Sequence, residues 1–323
     1  MQRRTFMTGM AASVALPTLA HAQGELPTQP VRIIVGFAPG GGTDLLARVI
    51  GQKLSDMWKV TVVVENRAGA SGAIAADYVA RQPGDGTVLH MAHINSHAIV
   101  PNLQKVTYDP IRDFQPIAMV GVTPNLLICG PQQPARTVKD LVALCKAHPG
   151  AVSFGSAGTG SAQHLALEMF KLQAGVQAIH VPYKGSGPML TDLMGGQVQY
   201  SFDTMTAATP HVKSGKVIAI AQTRLKRASG HPNVPTMAES GFPNFEATTW
   251  YGLVGPGKMS PAMARRMNED VNKALAMPDV IEKLEVSGAE DGGGSPEKMR
   301  EFMHVELAKW AKVIKEANVK TDA

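Results

Sequence analysis

The chain has 323 residues, which is enough for two domains, and its 44% hydrophobic and 18% charged residues are ordinary for a globular protein. Its formal net charge is +5; removing Arg3 and Arg4 from the 31 basic residues leaves 29 against 26 acidic ones, a net charge of +3. Such a small positive charge on scattered residues excludes nucleic acid as the expected partner. After residue 22 no stretch approaches the length of a membrane span.

The first 22 residues have the pattern of an export signal. Arg3 and Arg4 precede an apolar stretch without acidic residues, and Ala20-His21-Ala22 is a small-x-small cleavage pattern. The run R-R-T-F-M resembles a twin-arginine signal. A general secretory signal is the alternative, because paired arginines also occur in ordinary signal peptides. Both routes predict a periplasmic protein, cleaved near Ala22.

The first structural unit is a strand, a glycine-rich loop and a helix. Residues 33–35 are an apolar run that predicts a buried strand, residues 39–42 form the loop, and Thr43 and Asp44 mark the start of a helix. The first turn of a helix leaves N–H groups unpaired and partly positive, and glycines let a ligand approach them. This predicts a site for a small anion. The candidate ligand-binding residues are Phe37, Pro39, Gly40, Gly41, Gly42, Thr43 and Asp44.

The next elements extend a parallel sheet. We predict strands at residues 60–65 and 88–93, a helix at 73–81 and a polar loop at 94–97. Strands that alternate with helices indicate parallel pairing with right-handed crossovers. Ligands of such sheets bind at the carboxyl ends of the strands, which adds His93 and Ser96 to the candidate site.

A second strand, small-residue loop and helix unit occupies residues 151–170. The proline-punctuated passage at 108–134 before it predicts a crossing to a second lobe. Two anion-binding loops, one in each lobe, suggest a ligand gripped from both sides. The candidate residues of this second loop are Ser156, Gly158, Thr159, Gly160, Ser161 and His164.

The remaining chain completes the second lobe and returns to the first. Residues 199–203 and 217–221 predict strands, and Tyr183 and Asp203 join the candidate site. Residues 248–254 predict the return strand, and the helices at 265–275 and 297–315 would pack on the first lobe. The predicted fold is α/β and two-lobed, a hinged periplasmic-binding-protein fold in which each lobe has a parallel-rich sheet flanked by helices. Lobe I would comprise residues 24–123 and 250–323, and lobe II residues 124–249.

Several single residues have competing interpretations. Asp44 could contact a ligand amine, or it could cap the helix or bind a water, which we favour because a bare carboxylate repels an anion. Asp203 could contact the ligand or form hydrogen bonds that close the lobes. Three aromatic residues could line a binding site for an aromatic ligand. Aromatic residues dominate cores regardless of function, so we expect these three to pack in the core. These three are Phe37, Phe202 and Trp250.

Metal and disulfide sites are not expected. His90 and His93 face opposite sides of a strand, so they cannot share a metal without a bulge. Cys129 and Cys145 could form a disulfide after export, but both lie in apolar segments, which favours two buried thiols.

The motifs of common enzymes are absent. The loop lacks the third glycine of G-x-G-x-x-G, where Leu45 stands, and we find no G-K-[ST], H-E-x-x-H or G-x-S-x-G. Ser161, His164 and Asp203 could be imagined as a triad. Ser161 and His164 share one helical turn, however, which does not aim the imidazole at the hydroxyl. We therefore expect no enzyme, no cofactor and no metal.

A series of motifs in the mature chain resembles one family. These motifs are P-G-G-G-T-D-L-L-A-R, V-V-E-N-R-A-G-A-S-G, P-G-D-G-T, Y-D-P-I-R-D-F, G-S-A-G-T-G-S-A-Q-H-L, H-V-P-Y-K-G-S-G-P and W-Y-G-L-V-G-P. In this order they resemble the Bug-type solute receptors of the tripartite tricarboxylate transporter system.

The resemblance implies a hinged receptor that closes on a small organic carboxylate and delivers it to membrane permease subunits. It implies that the carboxylate is held by residues 39–44 and 156–161, largely through backbone N–H groups and water. Neither loop contains lysine or arginine, so we expect neutral donors to bind the anion. We expect a monomer. The alternatives are a carboxylate sensor that signals to a membrane regulator and, more distantly, a hydrolase on the same scaffold.

Overall fold

The computed structural model describes residues 26–286, 288–290 and 292–316. The predicted export signal, residues 1–22, lies outside these ranges. The strands are β1 Val31–Val35, β2 Val62–Asn66, β3 Val88–His93, β4 Phe114–Cys129, β5 Ser153–Ser156, β6 Ile179–Pro182, β7 Tyr200–Thr204, β8 Ile218–Gln222 and β9 Thr248–Pro256. The helices are α1 Gly42–Trp58, α2 Ala73–Ala80, α3 Val100–Leu103, α4 Val138–Ala147, α5 Ala162–Ala174, α6 Ser186–Gly195, α7 Met205–Lys213, α8 Pro261–Leu275, α9 Pro278–Val286 and α10 Pro296–Glu316. None of the helices in the described part of the chain is both long enough and apolar enough to cross a membrane.

The strands form a mixed sheet in the order β2-β1-β3-β9-β4-β7-β5-β6, with β8 also paired to β4. β1 pairs in parallel with β2 and β3, and β5 pairs in parallel with β6 and β7. The long strands β4 and β9 are antiparallel to their neighbours. The parallel pairs therefore flank a central antiparallel region.

Strand β4 is shared by two lobes. Its residues 114–124 pair with β9, and its residues 125–129 pair with β7. We call the part built on β1, β2, β3, β9 and residues 114–124 lobe I, and the part built on residues 125–129 and β5 to β8 lobe II. The division of the chain at residues 123/124 and 249/250 stays a prediction.

Each lobe has apolar packing on both faces of its sheet. In lobe I, α1 and α8 cover one face and α2 and α10 cover the other. In lobe II, α4 and α5 pack on one face and α6 and α7 on the other. This layering buries the strands, which is why β1 and β3 are almost continuous apolar runs. It also fixes the strand ends that surround the cleft.

Two sequence expectations need correction. Residues 94–97 are not a loop: Asn95–Ile99 form a turn of π-helix that continues into α3. Helix α7 was not expected, whereas the predicted crossing at 108–134 contains the 16-residue strand β4. Pro210 lies inside α7, and a proline interrupts the local pattern that predicts a helix.

Cys129 ends β4 and Cys145 lies in α4, and both are free, buried thiols in one apolar cluster of lobe II. Burial raises the pKa of both thiols to about 11. The prediction of two buried thiols is confirmed.

Candidate functional site

The two lobes meet in a closed cleft at the carboxyl ends of β1, β3 and β5. Three hydrogen bonds cross the cleft: Ala38 N to Lys184 O (3.0 Å), Ser71 Oγ to Thr159 O (2.6 Å) and Ala162 N to Asn95 Oδ1 (2.9 Å). All three use backbone groups of the predicted ligand loops or their neighbours. The structure is therefore a closed conformation.

The first glycine loop is shaped by Asp44. Its Oδ2 accepts the N–H of Gly40 (3.0 Å), and Arg48 and Asn66 donate to the same carboxylate at 2.9–3.0 Å. Burial alone would raise the pKa of Asp44, but the hydrogen bonds from Arg48, Gly40 and Asn66 lower it below its ordinary value. An acid in the first turn that reaches back to a preceding N–H acts like half of a capping box. Asp44 therefore holds the loop with an ionised carboxylate whose oxygens are both occupied.

The start of α1 keeps its backbone donors free. Gly41 is the N-cap and provides no side-chain cap. Within the described chain the N–H groups of Gly42 and Thr43 donate to no protein acceptor. A Cβ at Gly42 would lie 2.6 Å from the Tyr251 hydroxyl and 2.8 Å from Thr204 Oγ1, so this close approach requires glycine. The first loop thus presents unpaired donors to the cleft.

Two histidines hold the second loop in place through hydrogen-bonding contacts with its residues. His180 Nε2 lies 2.6 Å from Ser156 Oγ, and His164 Nδ1 accepts the N–H of Gly160 at 3.1 Å. The two imidazole rings stack with centroids 3.8 Å apart. Because His164 Nδ1 is an acceptor, its proton is assigned to Nε2, which lies 3.6 Å from Glu168. These side chains stabilise the loop.

The start of α5 is largely occupied, unlike the start of α1. Ser161 Oγ accepts the N–H of His164 at 3.2 Å, and Asn95 accepts the N–H of Ala162. Ser156 Oγ accepts the N–H of Gly158 at 3.1 Å. The two loops that look alike in sequence therefore differ in the number of donors left for a ligand.

Two cavities lie between the loops. The larger one has a volume of about 350 Å³ and the smaller one about 10 Å³. The larger cavity is lined by Gly36, Phe37, Gly69, Ala70, Ser71, Gln104, Ala157, Gly158, Thr159, Pro182, Tyr183 and Lys184. The smaller cavity is lined by Phe37, Gly41, Gly42, Thr43, His93, Ala157, Gln163, Ser186, Thr204 and Tyr251. Phe37 and Ala157 belong to both walls, so the two cavities are neighbours.

The cavities bring together eight of the predicted ligand-binding residues. These are Phe37, Gly41, Gly42, Thr43, His93, Gly158, Thr159 and Tyr183. The other nine line neither cavity. They are Pro39, Gly40, Asp44, Ser96, Ser156, Gly160, Ser161, His164 and Asp203. Ser96 is buried behind His93, whose carbonyl accepts its hydroxyl at 3.2 Å.

Asp203 lies under the small cavity and is fully buried. Its Oδ1 accepts hydrogen bonds from Ser186 Oγ (2.5 Å), Thr204 N (2.9 Å) and Gln163 Nε2 (3.5 Å). Burial raises the pKa of Asp203 to about 6, against the lowering effect of these three donors. Asp203 thus orders three of the four lobe II residues that line the small cavity, namely Gln163, Ser186 and Thr204.

Several polar atoms around this floor are buried and lack a hydrogen-bond partner. In the described part of the chain they are Asp203 Oδ2, Gln163 Oε1 and Asn95 Nδ2. Buried polar atoms are nearly always paired in folded proteins. Unpaired atoms concentrated at one cleft indicate a place that receives a polar ligand or ordered water.

The loop that carries Ser71 was missed as part of the site. Ala70 (φ 45°) and Ser71 (φ 49°) both have left-handed backbones, between glycines that also have positive φ. Consecutive left-handed residues other than glycine are strained, and such strain is concentrated at functional sites. The glycine spacing in N-R-A-G-A-S-G was the signal in the sequence.

The histidines of β3 do not form a metal site. His93 packs against Phe37 and Tyr251, whereas His90 packs against His97 and Phe114 on the other face of the strand. In the parts of the chain that are described, no group of three or more His, Cys, Asp or Glu side chains is placed to hold a metal ion.

The shared strand, the two lobes and the polar cleft closed between them define a two-lobed solute-binding protein. The chain belongs to the tripartite tricarboxylate transporter receptors. Its residues 46–319 match the family model TctC, described as "Tripartite tricarboxylate transporter family receptor". The predicted family and fold class are thereby confirmed.

Similar proteins agree with this assignment. Protein BugT of Bordetella pertussis is 36% identical over 311 residues, which are 96% of this chain and 94% of BugT. The structure of R. palustris Rpa4515 with adipate has a TM-score of 0.88 and 36% identity, covering 92% of this chain and 99% of that chain. MatC from Rhodopseudomonas palustris with bound malate has a TM-score of 0.83 and 31% identity, covering 90% of this chain and all 100% of that chain. The family and these neighbours are binding proteins, so this chain is a substrate-binding receptor.

Proposed function

We propose that this receptor binds a small organic carboxylate in the periplasm and delivers it to the permease subunits of a tripartite tricarboxylate transporter. The observation that carries this proposal is the start of α1, where Gly42 and Thr43 line the small cavity and their N–H groups have no acceptor among the described residues. The N-terminus of a helix favours negative charge. A carboxylate supplies acceptor oxygens for both donors, while the rest of the acid would occupy the larger neighbouring cavity of about 350 Å³.

The polarity of the small cavity also favours an anion held by neutral groups. Its lining contains no lysine, arginine, aspartate or glutamate. The carboxylate of Asp44 is turned away into its hydrogen bonds with Arg48 and Gly40, so it does not repel a ligand from the cavity. Backbone donors and ordered water can bind a carboxylate without a paired cation.

Capture would proceed by lobe closure. The chain passes from lobe I to lobe II within β4 and returns at β9, so both connections lie in the central sheet. The three hydrogen bonds across the cleft would then form when the lobes close. We propose that the receptor acts as a monomer.

Two alternatives use the same binding chemistry. A sensor would bind the same carboxylate but signal to a membrane regulator, and transport assays in a permease-deficient strain would separate the two roles. Catalysis is not part of the proposal, because His164 Nδ1 is occupied by Gly160 and Ser161 Oγ bonds the His164 backbone. Turnover of a bound acid during incubation would contradict this.

The proposal is tested by identifying the ligand. Native mass spectrometry of the purified protein should reveal a co-purified acid, and calorimetry across aliphatic, amino-acid and aromatic carboxylates should give at least one tight ligand. Gly42→Ala, whose methyl group would reach the floor of the small cavity, should abolish that binding. Gly195→Ala is the control, because nothing lies within 4 Å of a Cβ there. If no carboxylate binds the wild-type protein, the proposal is wrong.

A further inference from the structure

Gln163 places a buried acceptor at the wall of the small cavity. It is the second residue of α5, its side chain is 2% exposed, and it lines the cavity opposite the start of α1. Its Oε1 has no hydrogen-bond partner among the described residues. Gln163 belongs to the motif G-S-A-G-T-G-S-A-Q-H-L, but the anion-binding argument does not account for this acceptor.

The orientation of the Gln163 amide is fixed by Asp203. Gln163 Nε2 lies 3.5 Å from Asp203 Oδ1, and that same oxygen accepts hydrogen bonds from Ser186 and Thr204. A carboxyl oxygen that accepts two hydrogen bonds carries no proton and repels a neighbouring acceptor, so the donor end of the amide faces it. Flipping the amide would place Oε1 against this oxygen, so Oε1 is the free atom and it is an acceptor.

A carboxylate alone does not satisfy this acceptor. Ionised carboxylates only accept hydrogen bonds, so a bound carboxylate belongs with the donors of Gly42 and Thr43 on lobe I. Gln163 on lobe II requires a donor instead. The cavity between them has room for about one water-sized group, and Phe37 and Ala157 join it to the larger cavity of about 350 Å³. A ligand whose body lies in the larger cavity reaches these groups only with its carboxylate end, so the donor has to lie close to the carboxylate.

We propose that Gln163 makes the receptor selective for acids that carry a hydroxyl or amino group on the carbon next to the bound carboxylate. This inference rests on the proposed function and deepens it, because it names the class of carboxylate. The α-hydroxyl or α-amino group donates to Gln163 Oε1, while the carboxylate accepts from the start of α1. An acid without that donor leaves Oε1 buried and unpaired, which costs affinity.

The experiment compares acids that differ in this one group. Calorimetry would be run on three matched pairs: malate and succinate, lactate and propionate, and 3-phenyllactate and 3-phenylpropionate. Aspartate would be compared with malate to separate amino from hydroxyl ligands. In the pair with the highest affinity, the substituted acid should bind at least tenfold more tightly than its unsubstituted analogue.

The Gln163→Leu variant tests whether this residue is responsible. It removes the acceptor at similar volume, so the preference should disappear: the substituted acid should bind more weakly than it binds the wild type, and the analogue should bind at least as tightly as it binds the wild type. Gln173→Leu is the matched control, because Gln173 is exposed on the same helix. This variant should keep the wild-type preference.

The outcomes separate this inference from the proposed function. Equal affinity within the best pair, or an equal loss for both acids in Gln163→Leu, would overturn the role of Gln163 while carboxylate binding stands. Absence of binding by every acid of the pairs and of the wider carboxylate panel would overturn both.

Discussion

Gly187 of α6 lies directly against the carbonyl oxygen of Pro39: a Cβ built on Gly187 would stand only 2.1 Å from that oxygen. The two residues belong to different lobes, so this contact exists only when the cleft is closed. Gly187 does not have a positive φ, and alanine is a better helix former than glycine. A side chain at position 187 is therefore excluded by the opposite lobe and not by the lobe that contains Gly187.

Gly187→Ala should block closure without harming the fold. We expect the affinity for the best carboxylate to fall at least tenfold while the Tm stays the same or rises, because the methyl group clashes only across the cleft. Calorimetry and small-angle scattering with and without ligand would measure this. Gly195→Ala in the same helix should change neither quantity. Wild-type affinity in Gly187→Ala would show that the lobes do not need this approach.

The hydrogen bond from Ser71 to the carbonyl of Thr159 should slow ligand release. It joins the lobes at 2.6 Å beside the larger cavity. Removing the hydroxyl in Ser71→Ala takes about 1 kcal/mol from the closed form, which corresponds to roughly fivefold faster dissociation in stopped-flow experiments. Ser214→Ala, which removes an exposed hydroxyl at the end of α7, should leave the rate unchanged. A slower dissociation rate, or no change, in Ser71→Ala would show that this hydrogen bond does not slow ligand release.

The pH dependence of stability should distinguish Asp203 from Asp270. Burial raises the pKa of Asp203 from 3.8 to about 6, so between these pH values the folded chain binds more protons than the unfolded chain. The contribution of Asp203 to the free energy of unfolding is therefore lost as the pH rises from 3.8 to about 6. Asp203→Asn should gain on the order of 2 kcal/mol relative to wild type between pH 4 and pH 7.

Asp270 is the matched control with the opposite sign. Burial would raise its pKa, but hydrogen bonds from Arg266 and Trp58 hold it below its ordinary value. Its stabilising contribution is present above the unfolded pKa and is lost as the pH falls. Asp270→Asn should therefore be most destabilising at neutral pH. Parallel curves of Tm against pH for the two variants would show that the protonation argument is wrong.

The buried histidines of lobe I should make the protein sensitive to acid. Burial lowers the pKa of His90 to about 4 and of His93 to about 3, and it lowers that of His97 well below 6.5. The unfolded chain then binds more protons below pH 6.5, so the Tm should fall steadily from pH 6.5 to pH 4. His97→Asn should flatten this fall even though lost packing lowers its Tm at pH 7.5. The same slope in His97→Asn as in wild type would exclude this residue as a cause.

Local signals predicted much of the fold. Thr137 caps α4 by accepting the N–H of Asp140, which is a local sequence signal for the start of a helix. The insertion of β9 between β3 and β4, antiparallel to both, was not predictable, because pairing between residues 160 positions apart leaves no local pattern. The antiparallel pairing of β4 with β7 and β8 adds to the mixed character of the sheet.

The candidate site was also predictable only where a local sequence pattern marks it. Glycines at the ends of strands identified the two loops, because close approach of a ligand leaves a local sequence pattern. Gln163 and Tyr251 were missed, because a buried glutamine in a helix and a tyrosine in an apolar strand look like packing residues until the lobes bring them together. Asp44 was interpreted correctly as a helix-start residue, but its bond with Arg48 depends on side-chain geometry.

The sharing of β4 has a thermodynamic consequence. At residue 124 a proline occupies the strand, and the hydrogen-bonded neighbours of β4 change from β9 to β7 at the next residue. Because β4 belongs to both lobes, neither lobe can unfold without removing β4 from the sheet of the other lobe. Calorimetry should therefore record one cooperative heat-absorption peak, with equal calorimetric and van't Hoff enthalpies, although the molecule has two separate apolar interiors.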